Sequence, residues 1–185
     1  MGIGTWIGLG ILLLLVLYSV GTYNGLVVLR NRVKSAWSQI DVQLKRRWDL
    51  IPNLVNTVKG YMKHEAGIFE KVAAARAGAM AATSPAEKGP AEGILTGALR
   101  QLIAVAENYP DVKANQNAMA LMEELASTEN RIGFARQHYN DEVQTYNTRI
   151  ESFPPNLVAN AFRFEPAQFF ELKEAAQREP VKVEF

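Results

Sequence analysis

The most prominent feature of the hydropathy pattern is a continuous apolar segment at the N-terminus. It is centred on residues 6–20, and with its apolar flanks it reaches the ~20 residues that a helix needs to cross a bilayer. Trp6 lies at one end, and Tyr18 and Tyr23 lie near the other, where aromatic side chains are enriched at membrane surfaces. No basic residue precedes the segment, as it would in a cleaved signal peptide. We therefore predict a retained transmembrane helix at residues 1–24.

Past this anchor, apolar residues recur at steps of three and four, which is typical of helices with one face in a core. The first series has no break between Tyr23 and Arg47, so anchor and first bundle helix are predicted to form one rod. Its members are Leu26, Leu29, Val33, Trp37, Ile40, Leu44 and Ile51. Proline is tolerated in the first turn of a helix and disrupts an interior one. Asp49 is therefore predicted to cap a second helix that holds Pro52 in its first turn.

Two further helices are predicted in the second half of the chain. The stretch ATSPAEKGPAEG at 82–93 is rich in proline, glycine and small residues, which indicates a mobile connection. A third helix follows at about 91–107, with Ile94, Leu95, Leu99, Leu102, Ile103 and Ala106 predicted to face inward. The fourth is predicted at 117–152 from a nearly heptad series of Met119, Met122, Leu125, Ile132, Ala135, Tyr139, Val143, Tyr146 and Ile150.

The pattern as a whole predicts an all-α protein in which the transmembrane helix continues into an antiparallel, four-helix-bundle-like soluble domain. The predicted bundle covers 25–153 and ends before the Pro-Pro pair at 154–155. Residues 154–185 hold five of the eight phenylalanines and are predicted to pack on the bundle as a tail. A short helix is predicted in this tail near 166–177.

Charge distribution predicts orientation more than it predicts a ligand. The formal net charge of +1 gives no general electrostatic argument for a nucleic-acid partner. Arg30, Arg32 and Lys34 follow the apolar segment, and nothing basic precedes it except the α-amino group. The positive-inside tendency therefore places the soluble domain in the bacterial cytoplasm and the N-terminus outside. A periplasmic soluble domain, with envelope components as partners, is the alternative.

Motifs for catalysis are not evident in the sequence. The absence of cysteine excludes thiolate metal sites and cysteine nucleophiles. His64 and His138 lack the second histidine of a zinc-protease helix and the Glu-x-x-His spacing of a di-iron bundle. There is no phosphate-binding glycine loop and no serine in a nucleophile elbow. We expect no catalytic, cofactor-binding or metal-binding residue.

Three long stretches resemble the LemA family. They are YNGLVVLRNRVKSAWSQIDVQLKRRWDLIPNLVNTVKGYMKHE, ELASTENRIGFARQHYND and FPPNLVANAFRFEPAQFFE, which together extend from about Tyr23 to Glu171. The resemblance implies a bacterial protein with one N-terminal membrane helix and a mostly helical soluble domain. The family includes a magnetosome-membrane member linked to membrane organisation. It implies no reaction and no catalytic residue.

The block SQIDVQLKRRWDLIPNLV combines an apolar stripe with an unusual density of polar groups. A corner between helices requires the stripe and the proline, but it does not require these polar groups. Interaction candidates are therefore Gln39, Asp41, Gln43, Lys45, Arg46, Arg47 and Trp48. Their partners lie either on other subunits or in a satisfied network within the chain, and the sequence leaves both interpretations open.

The leading functional hypothesis is a homo-oligomeric membrane scaffold that organises or shapes the bilayer without catalysis. Its partners would be the lipid bilayer and further copies of the chain. A second hypothesis is an adaptor that recruits a membrane protease, a sensor or an envelope enzyme. A third is a metal-binding or enzymatic bundle that uses the carboxylates of Glu65, Glu70, Glu123 or Glu124.

Overall fold

A computed structural model describes residues 2–171, and this part of the chain is helical without a strand. The helices are α1 (Ile3–Lys59), α2 (Ala66–Ala81), α3 (Pro85–Ala106), α4 (Pro110–Ala114), α5 (Gln116–Glu151) and α6 (Pro155–Ala161). The prediction of an all-α protein is confirmed.

The predicted continuity of anchor and first bundle helix is also confirmed, because α1 runs unbroken for 57 residues. Among the described residues, α1 is the one helix long and apolar enough to cross a membrane. No residue in its most apolar window of 18 is buried, which distinguishes this segment from the core helix of a soluble protein. Burial on α1 starts with Thr22 and Leu26, directly after the apolar segment.

The predicted helix boundary at Asp49 is wrong, because α1 passes through Pro52 and ends only at Lys59. A proline inside a helix removes the backbone donor to the carbonyl four residues earlier, here Trp48. In the structure that carbonyl accepts a hydrogen bond from Arg76 Nε of α2, at 2.7 Å. A side chain from another helix thus replaces the missing backbone donor, and the helix continues. The turn to α2 lies instead at 60–65.

The predicted mobile connection at 82–93 is also wrong, since α3 begins at Pro85. Ser84 caps the helix: its hydroxyl accepts from the Glu87 N–H, while the Glu87 carboxylate accepts from the backbone of Ser84 and Thr83. This reciprocal capping box, followed by proline at the first helical position, is a strong start signal. It outweighs the low helix propensity of the Gly-Pro pair at 89–90.

The predicted helix at 117–152 agrees with α5, but one inward position on α5 and one on α3 are wrong. The apolar spacing predicts Met119 and Ile94 in the core, and both are exposed. The short helix α4 was not predicted. The Pro-Pro pair ends α5 as expected, and its second proline starts α6. The helix predicted near 166–177 is absent over 166–171, and the rest of that prediction lies outside the described residues.

The chain divides into two compact units, and both α1 and α5 contribute to each. Within the described residues, unit 2 comprises Ile40–Arg136 and residues 169–171. Its core is built by helix-on-helix packing of one apolar face from each of α1 to α5. The core residues are Ile51, Leu54, Val58, Met62, Phe69, Val72, Ala79, Leu95, Leu99, Leu102, Ala106, Val112, Ala118 and Leu125.

Unit 1 comprises residues 2–39 and Gln137–Gln168. Here residues 164–168, which we term the strap, lie along α5 without helical structure of their own. Three α5 side chains hold the strap backbone: Tyr139 and Tyr146 donate to the carbonyls of Gln168 and Glu165, and the Asn147 side chain bonds both backbone groups of Ala167. These backbone polar groups of the strap are therefore satisfied by side chains rather than by a helix or sheet.

Candidate interaction site around Arg47

The basic triplet at 45–47 occupies three different directions on α1. Successive residues of a helix are rotated by about 100°, so adjacent basic side chains cannot share one groove. Lys45 and Arg46 are exposed, whereas the Arg47 side chain is 1% exposed. Arg47 is therefore a core residue of unit 2 and not part of a basic surface.

Arg47 is surrounded by carboxylates from two other helices. Its guanidinium forms ion pairs with Glu92 of α3 and Glu129 of α5, and Nη1 also donates to Thr96 Oγ1 at 3.0 Å. The Thr96 hydroxyl donates to Glu129 Oε1 at 3.1 Å, and Trp48 Nε1 donates to Glu92 Oε1 at 2.9 Å. We call these five residues the Arg47 cluster. It ties α1, α3 and α5 together in the interior of unit 2.

The electrostatics of the Arg47 cluster combine a desolvation penalty with charge pairing. Burial lowers the pKa of Arg47, and the charge and hydrogen bond of Glu129 oppose that shift. An arginine remains protonated in proteins. Two further polar atoms, Arg47 Nε and Gln43 Oε1, are buried without a hydrogen-bond partner in the described residues. Burial of Arg47 therefore carries a desolvation cost, which its pairing with the carboxylates opposes.

Two ion pairs lie nearer the surface. Lys88 donates to Asp41 Oδ1 at 2.6 Å and lies 5.9 Å from the centroid of the Trp48 ring. Arg46 reaches Glu124 Oε1 through Nη2 at 2.7 Å and through Nε at 3.2 Å, with both side chains substantially exposed. An exposed pair such as Arg46–Glu124 contributes at most about 1 kcal/mol to stability.

The predicted interaction residues thus divide into three groups. Four of them have partners within the chain: Asp41, Arg46, Arg47 and Trp48. For these four the intramolecular interpretation is supported. Gln43 is half-buried on the same helix. Gln39 and Lys45 are exposed, and an intermolecular role for them stays a prediction.

Sequence reasoning missed the acidic partners, although a signal was present. Arg47 lies three residues after Leu44 and four before Ile51, so it occupies a position of the apolar stripe. Glu129 stands in the same way between Leu125 and Ile132, and Glu92 lies three residues before Leu95. The signal is a charged residue on the apolar stripe of each of three helices, and of these residues Arg47 and Glu92 are buried while Glu129 is partly exposed. Such positions require charge pairing in the interior.

The predicted membrane-interface residues lie in unit 1. Trp6, Tyr18, Arg30, Arg32 and Lys34 are exposed. Tyr23 is also partly exposed.

Tyr23 and Arg30 have aromatic partners near the strap. The Tyr23 ring centroid is 4.8 Å from that of Phe162 and 5.6 Å from that of Phe164. The Arg30 guanidinium carbon lies 5.1 Å from the Phe164 ring centroid, within range of a cation–π interaction.

Two grooves open on the surface of unit 2. The larger, about 850 Å³, lies among α3, α4 and α5 and is lined by Met119, Met122 and Val112, with Glu107, Lys113 and Glu123 also in its lining. The smaller, about 590 Å³, lies between α2 and α3. Small side chains dominate its lining, which consists of Lys71, Ala74, Ala75, Gly78, Ala91, Ile94, Gly97, Ala98 and Gln101.

The carboxylates of the metal-site hypothesis are dispersed. Glu65 accepts a hydrogen bond from Tyr109 Oη at 3.0 Å, Glu124 pairs with Arg46, and Glu123 lines the larger groove. Within residues 2–171 no three acidic or histidine side chains form a group that could hold a metal ion.

Known proteins match this chain over most of its length. The LemA family model matches residues 36–185. The magnetosome protein MamQ 2 of Paramagnetospirillum magneticum is 26% identical over 179 residues, covering 83% of this chain and 66% of the relative. The protein LemA of Metamycoplasma hominis is 26% identical over 159 residues, covering 84% and 71%. The chain thus spans just under two thirds of the length of the magnetosome relative.

The family match covers most of the chain, including all of α2 to α6 and the whole Arg47 cluster. The apolar part of α1 precedes the matched region and supplies the segment suited to a membrane. This chain is a membrane-associated protein that belongs to the LemA family.

Proposed function

We propose that this protein is a homo-oligomeric membrane scaffold without catalytic activity. In this proposal α1 spans the bacterial cytoplasmic membrane, and the helical regions of several copies pack side by side to organise or shape the bilayer. The basic residues Arg30, Arg32 and Lys34 favour a cytoplasmic location for the helical region and an external N-terminus.

The observation that carries the proposal is the continuity of α1. Its apolar segment passes into the buried positions Leu26 and Val33 of unit 1 without a linker. A flexible linker after the apolar segment would let the helical region move independently of the membrane. Here the folded part begins where the apolar segment ends, and contacts made by that part act directly on the membrane helix.

The α2–α3 groove supplies a surface on which a second copy can dock. Small residues such as Ala74, Gly78 and Gly97 allow the backbone of a neighbouring helix to approach closely. Ile94 lines the same groove and is exposed, although it belongs to a helix whose other large apolar residues are mostly covered. Covering the groove would bury these apolar groups.

Filling the groove tests the scaffold proposal. A Cβ at Gly78 or Gly97 would meet no atom within 4 Å, so both positions are open to a side chain, and Gly78→Leu and Gly97→Leu add bulk in the path of an incoming helix. Gly133→Leu on α5 is the matched control, because its Cβ is equally unobstructed and it lies outside the groove. The measurement is the mass of the full-length protein in nanodiscs or a mild detergent.

We expect a large, discrete assembly for the natural chain and for Gly133→Leu, and a smaller one for the double groove variant. A monomer for the natural chain would overturn the scaffold proposal. An assembly of equal size in all three proteins would exclude the α2–α3 groove as the contact between copies, but it would still support self-association.

Orientation is tested separately, and the cysteine-free sequence makes the test simple. Gln39→Cys places one thiol on an exposed position of α1 in the helical region. If the helical region is cytoplasmic, a membrane-impermeant maleimide labels this thiol only after the cells are lysed. Labelling in intact cells with a permeable outer membrane would establish the periplasmic alternative.

An adaptor function is the second candidate, and the larger groove favours it. Methionine is flexible and polarisable and is over-used at surfaces that bind helical segments of varied sequence. Met119 and Met122 line this groove beside two carboxylates, Glu107 and Glu123. An amphipathic helix of another membrane protein would fit such a surface.

The adaptor function predicts a stoichiometric partner that depends on the methionine groove. Met119→Arg should abolish its recovery in a pull-down of full-length protein, while Met80→Arg, a methionine of similar exposure outside the groove, should not. Reversal of the Arg47 charge would be uninformative, because it would disrupt the buried cluster. Equal recovery of the partner with both variants would exclude this groove as the docking surface.

A further inference from the structure

The segment Phe153–Arg163, which contains α6, presents an unusual apolar surface. Phe153, Leu157 and Phe162 are 79%, 62% and 59% exposed, while the opposite side of α6 buries Val158 and Ala159. Arg163 is the one charged residue of this segment. Exposed apolar patches of this kind mark interaction sites more often than plain surface.

This apolar segment lies beside the end of the membrane-spanning part of α1, within the same unit. The Phe162 ring contacts the Tyr23 ring at 4.8 Å between centroids. Thr22 and Leu26 are the first buried positions on α1, so the packing of other residues onto α1 begins at this level. The structure therefore places Phe162, directly after α6, beside the end of the apolar segment of α1.

The depth follows from helix geometry. A hydrocarbon core of about 30 Å corresponds to about 20 helical residues at 1.5 Å each, which leads from Ile3 to Thr22. The headgroup layer adds about 5–7 Å on each side, or the next four to five residues. Tyr23 lies in that layer, and Phe162 lies in it too because the two rings are in contact.

The backbone at Arg163 supports a role for its charge. Arg163 has φ = 54°, in the left-handed region, and the hydrogen bonds Phe164 N to Ala159 O and Arg163 N to Asn160 O form a Schellman motif that ends α6. Glycine is the usual residue at this position because side chains are strained there. The chain instead carries an exposed cation directly beside Phe162. Strain retained at one position is a reason to look for function.

We propose that Phe153–Arg163 is a second membrane contact, in which Phe153, Leu157 and Phe162 lie at the acyl boundary and Arg163 binds anionic headgroups. It occupies the leaflet from which the helical region emerges. The inference requires α1 to span the membrane, but it does not require the chain to associate with itself. We assign lipid as the partner of this apolar surface because Phe162 contacts Tyr23 at the end of the apolar segment of α1. Amphipathic segments with an apolar face and basic charge bind this layer.

Spin labelling of the full-length protein tests the proposal, since the chain has no cysteine to remove. Leu157→Cys and Phe153→Cys are labelled with a nitroxide in separate samples and reconstituted into phosphatidylcholine vesicles that also contain phosphatidylglycerol. Collisions with oxygen, which partitions into lipid, are compared with collisions with a water-soluble nickel chelate. Tyr18→Cys serves as the lipid reference, and Gln39→Cys, exposed on α1 about 24 Å beyond Tyr23, serves as the water reference.

We expect the oxygen-to-nickel ratio at 157 and 153 to shift from the water reference toward that of position 18. Ratios equal to those at position 39 would overturn the proposal. Exclusion of both reagents, with dipolar broadening that disappears on dilution with unlabelled protein, would show a second copy on this surface and would also overturn it. Both substituted residues are exposed, so circular dichroism should match that of the natural chain.

The role of Arg163 is tested with Arg163→Gly, which removes the charge and relieves the backbone strain at once. In the protein labelled at position 157 we expect this change to lower the oxygen-to-nickel ratio in vesicles that contain phosphatidylglycerol. In pure phosphatidylcholine the ratio should not change. No effect of Arg163→Gly in the anionic vesicles would overturn headgroup binding by Arg163.

Discussion

Arg76 Nε donates a hydrogen bond of 2.7 Å to the carbonyl of Trp48, which is the carbonyl that Pro52 leaves without a backbone donor. The relationship explains how a helix of 57 residues passes through a proline. It also brings Arg76 of α2 against Trp48, whose indole donates a hydrogen bond to Glu92. The backbone defect in α1 is thus repaired by the packing of another helix.

The first prediction is an energetic coupling between positions 52 and 76. Arg76→Leu should destabilise the protein by about 1.5–3 kcal/mol, because a charged donor is lost and a carbonyl is left unsatisfied. In a Pro52→Ala background the loss should be smaller, since alanine at position 52 restores the backbone donor to Trp48. Urea unfolding of the full-length protein in detergent, followed by far-UV circular dichroism, measures the cycle. Equal losses in both backgrounds would contradict the coupling.

The second prediction contrasts two adjacent arginines. Arg47→Met should destabilise unit 2 by about 3–5 kcal/mol, because it leaves Glu92 buried without its charge partner. Arg46→Met should cost less than about 1 kcal/mol, because its pair with Glu124 is exposed.

A compensating change separates lost pairing from lost volume at position 47. Glu92→Met added to Arg47→Met should recover much of the stability, since apolar replacement of a whole buried pair is often neutral. The unfolding free energies of Arg46→Met, Arg47→Met and the double variant are compared with that of the natural chain in one detergent. Similar losses for the two single arginine variants would show that Arg47 is not a buried anchor.

The third prediction concerns a close backbone approach. A Cβ at Gly89 of α3 would clash with the backbone carbonyl oxygen of Glu171. Gly89→Ala should therefore displace the chain at 171 and destabilise the protein by about 1–3 kcal/mol, as overpacking does. Gly133→Ala meets nothing within 4 Å and should stabilise α5 by about 0.5–1 kcal/mol. Thermal unfolding of both variants gives opposite signs, and a gain for Gly89→Ala would disprove the close contact.

The fourth prediction is a pH dependence of the α3 N-terminus. Backbone hydrogen bonds from Thr83 and Ser84 lower the pKa of Glu87 below its ordinary value. A carboxyl with a lowered folded-state pKa stabilises the protein fully above its unfolded pKa, about 4.3, and loses that contribution as the pH falls through the folded value.

The natural chain should therefore be more stable than Glu87→Gln at pH 7, and the difference should shrink once the pH falls below about 4. Melting temperatures measured from neutral to strongly acidic pH follow the difference, with Ser84→Ala as the control that removes the other half of the capping box. A difference that persists unchanged to the lowest pH would contradict the carboxylate's role.

Hydrophobic periodicity predicted the long helices well and their interruptions poorly. The predicted bounds of α5 lie within one residue of the observed ones at each end, because its apolar residues recur along the whole helix. The boundary at Asp49 was wrong because the proline rule treats a helix by itself, and Arg76 is on another helix. The prediction of a mobile connection at 82–93 was wrong because it followed the proline- and glycine-rich composition, whereas the Ser-x-x-Glu signal at the same place starts α3.

Individual side-chain burial was predicted less reliably than the helices themselves. Ile94 and Met119 share the apolar spacing of their neighbours, yet both line surface grooves. When the apolar stripe of a helix is wider than the surface of the helix packed against it, the residues at the edge of the stripe remain exposed. The width of that contact depends on the neighbouring helix. The spacing of apolar residues alone therefore cannot distinguish a core position from an exposed apolar position that lines a surface groove.

The sequence by itself determined the all-helical fold, the apolar N-terminal segment and its continuity with the first core positions. These properties are local, since they depend on residues three or four apart along one helix. Only the tertiary structure decided which charges meet: Arg47 pairs with acids on two other helices, and Phe162 comes to Tyr23 from the far end of the chain. Local periodicity states which face is buried, but the partner on that face depends on how distant helices pack.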